Sequence, residues 1–353
     1  MTESNAWKNE YARLREYIAA NPEIVLTKNE ISIPQPLRDE FYSIFDDIRR
    51  AVAAQYINAL PLGVRTLSER YIRIEKEASE LLGVREIGMP IDLHVFLHNP
   101  EEGLVRAVYN SLFGFLQGKF DEEGFERLTG ESIDSYVTDL FRFGYERWAG
   151  LELIKLLEPE EAFFVGLDED FKPCLLELET VSFGKQFHHP TRRIPELVVR
   201  SRRLNSLVAI KMALAAEIDE YVVTIKLPVR PKKRTGDTSY TMDSRIILLS
   251  LIEDEKKIPV YADIYDGDRA APDWLVEFVN MNAPGGAEEV FRHIRRRMEI
   301  LEPKFGCTLI APVDDLQIDG EMIPENIRLV SLGFDMAKLD AELTDIFGAN
   351  AHE

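Results

Sequence analysis

Only two of the 353 residues are cysteine, Cys174 and Cys307, so no disulfide framework can hold this chain together. Long apolar runs are missing too. The best one, Ile246 to Ile252, spans seven residues. That suits a buried strand and falls far short of the roughly 18–20 apolar residues a membrane-crossing helix needs. Basic charge is scarce: Lys and Arg total 42 against 62 Asp and Glu, a formal net charge of −20. A histone-like sleeve for nucleic acid over the whole molecule is excluded by that sign. Met1 to Lys8 holds neither a basic nor an apolar leader segment, and Ala351-His352-Glu353 has no lipidation motif. The expectation is a cytoplasmic protein with no membrane partner. Gly-x-Ser-x-Gly, Gly-x-Gly-x-x-Gly and Cys-x-x-Cys are all absent, so serine hydrolases, dinucleotide enzymes and thioredoxin-like redox proteins lose support.

What is present is enough apolar surface to fold. Hydrophobic residues make up 45% and aromatics 10%, and a chain of this length buries roughly three-quarters of its surface without staples. Residues 1–157 read mainly as helix. Trp7, Tyr11, Leu14, Tyr17 and Ile18 form one apolar stripe, and Phe41, Ile44, Phe45, Ile48 and Val52 form a second after Pro34 and Pro36. Leu67 to Leu82 predicts a third helix, capped by Ser68 and stopped at Gly83. Asn99-Pro-Glu-Glu opens a fourth, and Ser132 to Leu157 a long fifth.

The pattern then changes. Ala162 to Asp168 and Cys174 to Val181 predict a strand pair around a turn. Pro195 to Ile218 predicts a helix, and Tyr221 to Leu227 a strand. Arg245 to Ile252 and Pro259 to Ile264 predict a hairpin, Glu288 to Leu301 a helix, and Thr308 to Ala311 and Ile327 to Val330 strands. Asp335 to Phe347 predicts a last helix. The fold class expected is α+β or mixed α/β: a helical region, 1–157, packed on a mixed-sheet region with flanking helices, 158–353. Both cysteines fall in strand-like runs and are expected to be inert thiols.

Charge is uneven. Between Lys185 and Arg234 stand twelve basic residues and four acids, a local excess of +8. Such a local field can attract a polyanion because salt screens distant charge beyond about 10 Å. Next to this window lie Asp168, at the end of one predicted strand, and Glu177 and Glu179 at i and i+2 on its partner. Paired antiparallel, the three carboxylates can share one face and hold Mg²⁺ or Mn²⁺, hard cations that take oxygen ligands. A metal held there orients water and stabilises charge on a phosphoryl group.

This layout resembles the PD-(D/E)XK nuclease superfamily, with its restriction-endonuclease-like fold, over roughly Ser132 to Leu227. The resemblance implies metal ligation by Asp168, Glu177 and Glu179. It also implies that Lys211 or Lys185 replaces the motif lysine, whose place Glu179 takes, and that Glu146 stands for a helix acid. Phosphates would be gripped by Arg192, Arg193, Arg230, Lys232, Lys233 and Arg234. The resulting expectation is a Mg²⁺-dependent, nuclease-like phosphodiesterase acting on DNA or another nucleic acid. The alternative is a non-catalytic interaction or scaffold protein with a degenerate site, docking a protein partner through its acidic helical region.

Other features carry weaker chemistry. His188-His189 reads as a polar loop able to meet phosphate or metal. His94 and His98, at i and i+4, can present two imidazoles on one helix face. Pro90 and Pro100 bracket them closely and no His-Glu-x-x-His pattern exists, so zinc is not the expectation there. Asp263 to Asp268 lacks calcium-loop spacing, and Pro284-Gly285-Gly286 lacks the P-loop lysine. The second basic cluster is Arg292, Arg295, Arg296 and Arg297.

Overall fold

The computed structural model describes residues 6–170, 172–182, 194–214, 245–261, 270–279, 286–312 and 323–348. They form an α+β protein in two compact units. One comprises Met1–Arg73 with Pro90–Gly144; the other comprises Ile74–Met89 with Tyr145–Glu353.

The helical elements come first in the chain, and two of them, Leu62–Leu82 and Glu122–Leu156, run across the bounds of the two units. Helix α1 (Ala6–Ala20) buries Trp7 and Leu14, and α2 (Gln35–Ile57) buries Phe41, Ile44, Phe45, Ile48 and Val52. Pro36 sits in the first turn of α2, where its missing N–H costs nothing. A short antiparallel pair, β1 (Val25–Leu26) and β2 (Ile31–Ser32), joins them. Helix α3 (Leu62–Leu82) starts earlier than the pattern predicts, so Ser68 is not its cap. Ser68 lies buried inside it and its hydroxyl donates to the Leu97 carbonyl at 2.6 Å. Gly83 ends α3 at φ +67, the left-handed conformation that glycine adopts without a Cβ penalty. Helices α4 (Ile91–His98), α5 (Pro100–Ala107) and α6 (Tyr109–Leu116) follow. The predicted start at Ser132 is also too late: α7 runs from Glu122 to Leu156. Trp7 meets Phe115 edge-on and Phe125 at a tilt, Phe115 stacks on Phe125, and the Phe45 ring centroid lies 4.4 Å from that of Phe113.

The second unit is built on a mixed sheet. Strands β4 (Pro159–Leu167), β5 (Pro173–Glu177), β7 (Leu197–Ser201), β8 (Ser206–Leu214), β9 (Arg245–Ile252), β10 (Trp274–Phe278), β11 (Cys307–Ala311) and β12 (Ile327–Ser331) lie in the order β12-β11-β10-β9-β8-β7-β4-β5. The β10–β11 and β11–β12 pairs are parallel and the others antiparallel. A separate parallel pair joins β3 (Glu86–Gly88) to β6 (Thr180–Ser182). Helix α8 (Gly286–Leu301) covers one face through Phe291, Ile294 and Met298 against Leu275 and Leu309. Helix α9 (Met336–Phe347) lies on the other, where Phe347 meets Trp274 edge-on.

One helix expected from the sequence is instead two strands. Pro195 to Ile218 holds β7 and β8, paired antiparallel. Both strands are buried on both faces, so their apolar residues run on without the alternation that marks a half-exposed strand. Arg245 to Ile252 is a strand, but its partners are β8 and β10; Pro259 to Tyr261 has no strand structure, and 262–264 lie outside the described residues. The strand expected at Tyr221 to Leu227 also lies outside them.

Gly306 is a backbone requirement. It sits at φ +82, and a Cβ there would collide with the Asn326 carbonyl oxygen. Gly306→Ala should lower stability by at least about 1–3 kcal/mol, read from a urea unfolding midpoint, because both the backbone conformation and the space exclude a methyl group.

Candidate metal centre

The structure separates the expected carboxylates. In the β4–β5 ladder Glu177 stands opposite Phe163, while Asp168 lies beyond Leu167 at the turn. Five residues of strand separate those positions, about 16 Å at strand rise. Asp168 is occupied with the turn itself: its Oδ1 accepts from the backbone N–H of Asp170 at 2.9 Å and of Lys172 at 2.8 Å. Glu179 follows β5 in a bend, exposed, with Leu178 turned inward. Asp168, Glu177 and Glu179 therefore do not meet in one cavity.

Lys211 comes from strand β8 and not from a helix. Its ammonium donates to Glu196 Oε1 at 2.8 Å, with both side chains under 10% exposed. Glu196 Oε2 accepts from the Met212 N–H at 2.7 Å. Glu146 is buried in α7, one turn before Gly150, whose Cα side faces Met212. Side chains alternate along β8, so Lys211 and Met212 point to opposite faces of the sheet, and Lys211 and Glu146 are not brought together. Lys185, Arg192, Arg193, Arg230, Lys232, Lys233 and Arg234 lie outside the described residues, as do His188, His189 and Asp263 to Asp268. Arg297 is buried against Glu277, and Cys307 beside them has its thiol pushed well above its usual range, chiefly by burial, so it is inert. Cys174 is half-buried and forms no disulfide.

A different group of ligand-type side chains does converge. Each of Glu75, His94 and His98 offers one donor atom, and the three atoms lie within 4.8 Å of one another. Among the described residues this is the one trio of histidine, cysteine or acidic side chains so arranged. The sequence explains the local geometry. Leu93, Phe96 and Leu97 are the buried stripe of α4, which leaves His94 and His98, one turn apart, on its outward face. Pro90 is the N-cap of α4, and Pro100 is the first residue of α5. The two prolines thus frame the helix and do not break it. Ser68 holds the Leu97 carbonyl, and Asp92 binds Arg106 of α5 at 2.6 Å, so α4 is tied at both ends.

The imidazoles are also oriented. His98 Nδ1 lies 2.9 Å from the His94 carbonyl oxygen. A carbonyl can only accept, so Nδ1 donates there and the bond sets the orientation of the ring. The two rings lie 4.1 Å apart at 36°, and the Tyr71 ring meets His98 edge-on. His98 stands in the last turn of α4. Glu75 had no local signal in the sequence: it shares no motif with the two histidines.

Asn99 closes this corner. Its side chain accepts from the Glu102 N–H at 3.2 Å and caps α5. Asn99→Ala should cost about 1 kcal/mol, seen as a lowered denaturation midpoint.

No protein-family model matches the chain, no curated protein matches its sequence, and no solved structure matches its fold. No helix among the described residues is long and apolar enough to cross a membrane. The molecule is thus defined by its own architecture: an α+β protein with a candidate His-His-Glu metal trio beside a helix end.

Proposed function

We propose that this chain is a metal-binding protein that holds a zinc-class divalent ion on Glu75, His94 and His98. The observation that carries the reading is the convergence of the three donor atoms within 4.8 Å. Two imidazoles and one carboxylate suit zinc and its first-row neighbours, whereas Mg²⁺ prefers an all-oxygen shell with several waters. Three protein ligands are the count of a catalytic zinc site, with the remaining position left to water or substrate.

The phosphodiesterase reading draws no support from the hairpin, because its carboxylates stand apart and Lys211 is tied to Glu196. The non-catalytic scaffold reading needs no metal and is the outcome if none binds.

Dialysis of the full chain against zinc, then against buffer, should leave about one equivalent bound, and millimolar Mg²⁺ should not displace it. Zinc at 100-fold over its Kd should add about 2.7 kcal/mol of stability. Neither effect should occur in His94→Ala. Retention of zinc by that variant to the same extent would refute the assignment.

A further inference from the structure

Beside His98 the helical unit holds a cleft of about 270 Å³, walled also by Arg65, Ser68, Glu69, Asn99 and Glu101. We infer that this cleft takes a small zwitterion, of the amino-acid or dipeptide class, which reaches the ion held by His98. The inference rests on the metal reading and adds the ligand.

Size is the first argument. The volume lies below the roughly 300–1,000 Å³ of pockets for drug-sized ligands, so the occupant is small. Charge is the second. One guanidinium and two carboxylates line the cleft, all on exposed side chains at its mouth. A simple anion meets Arg65 but is repelled by Glu69 and Glu101; a simple cation meets the reverse. A molecule carrying both signs satisfies both walls, its carboxylate on Arg65 and its ammonium on the two glutamates. Arg65 Nη2 donates to the Ile57 carbonyl at 3.4 Å, and its planar guanidinium has further donors for a carboxylate. Position is the third. His98 is at once a wall of the cleft and a member of the metal trio, so the cleft and the trio share a side chain.

The test uses Co²⁺ in place of zinc on the full chain, because its visible absorption reports both loading and changes in the coordination shell. Titration with Co²⁺ alone establishes the metal reading. Glycylglycine is then added, with acetate and ethylamine as single-charge controls. The inference predicts a saturable spectral change with glycylglycine, at concentrations at least tenfold below those at which either control acts. It also predicts that Arg65→Met and Glu69→Gln each weaken the glycylglycine response at least tenfold while Co²⁺ loading is unchanged. Normal Co²⁺ loading with no dipeptide response, or a response that both variants retain in full, overturns the inference and leaves the metal reading standing. Failure of Co²⁺ to load overturns both.

Discussion

Lys211→Met is expected to destabilise the chain by about 3–5 kcal/mol, a large part of the 5–15 kcal/mol that holds a typical domain folded. Lys211 and Glu196 form an ion pair inside the sheet unit at 2.8 Å, with 7% and 8% of their side chains exposed. Both charges have left water, and each is tolerable only because the other is there. Removing the ammonium leaves a buried carboxylate whose remaining partner is the Met212 N–H. The double variant Lys211→Met with Glu196→Gln should recover most of the loss, since the neutral amide still accepts from Met212 and no unpaired charge remains. Chemical denaturation of the three proteins measures the effect. A single-variant cost under about 1 kcal/mol would mean that the pair is solvated in solution.

The second large effect concerns the metal. His98→Ala should weaken zinc binding at least about 100-fold, because loss of a ligand exceeds the 10–100-fold penalty typical of losing only a supporting group. Competition with a chromogenic chelator reads the change directly. His98 is expected to be the more sensitive of the two imidazoles, since its Nδ1 contact with the His94 carbonyl orients its ring. His98→Gln keeps a polar side chain and should fail equally. A variant that still binds zinc like the parent would show that the ion lies elsewhere or is absent.

Much of the helical unit was legible from residue spacing. The Trp7 and Phe41 stripes, the Asn99 cap and the Gly83 stop are all local signals, and each appears where local physics puts it. The final α8, β11, β12 and α9 were legible for the same reason. Leu197 to Leu214 was not. A strand buried on both faces has no period of two, and Pro195 to Ile218 offers a continuous apolar run that suits a helix equally well. Asn205, at φ +47, turns the chain between β7 and β8, yet one asparagine is weak evidence of a turn.

The convergence of Asp168, Glu177 and Glu179 was lost at a different link. Glu177 and Glu179 do alternate in sequence with Leu176 and Leu178, but β5 ends at Glu177, and the β4–β5 register was not predictable from composition. Asp168 was read as a ligand because it is acidic at a strand end; that position also makes it a turn cap, and the turn uses it. The histidine pair is visible in the sequence, but the bracketing Pro90 and Pro100 and the missing His-Glu-x-x-His pattern argue there against a zinc site. The prolines instead mark where α4 begins and α5 follows. The third donor, Glu75, belongs to no motif, since its neighbourhood with His94 exists only in three dimensions.

The most direct test is X-ray absorption at the zinc edge on the zinc-loaded full chain. The account predicts a shell of light atoms with two imidazole nitrogens at about 2.0–2.1 Å and carboxylate or water oxygen beside them. An all-oxygen shell without imidazole scattering, or a protein that leaves dialysis with no zinc to measure, would contradict it.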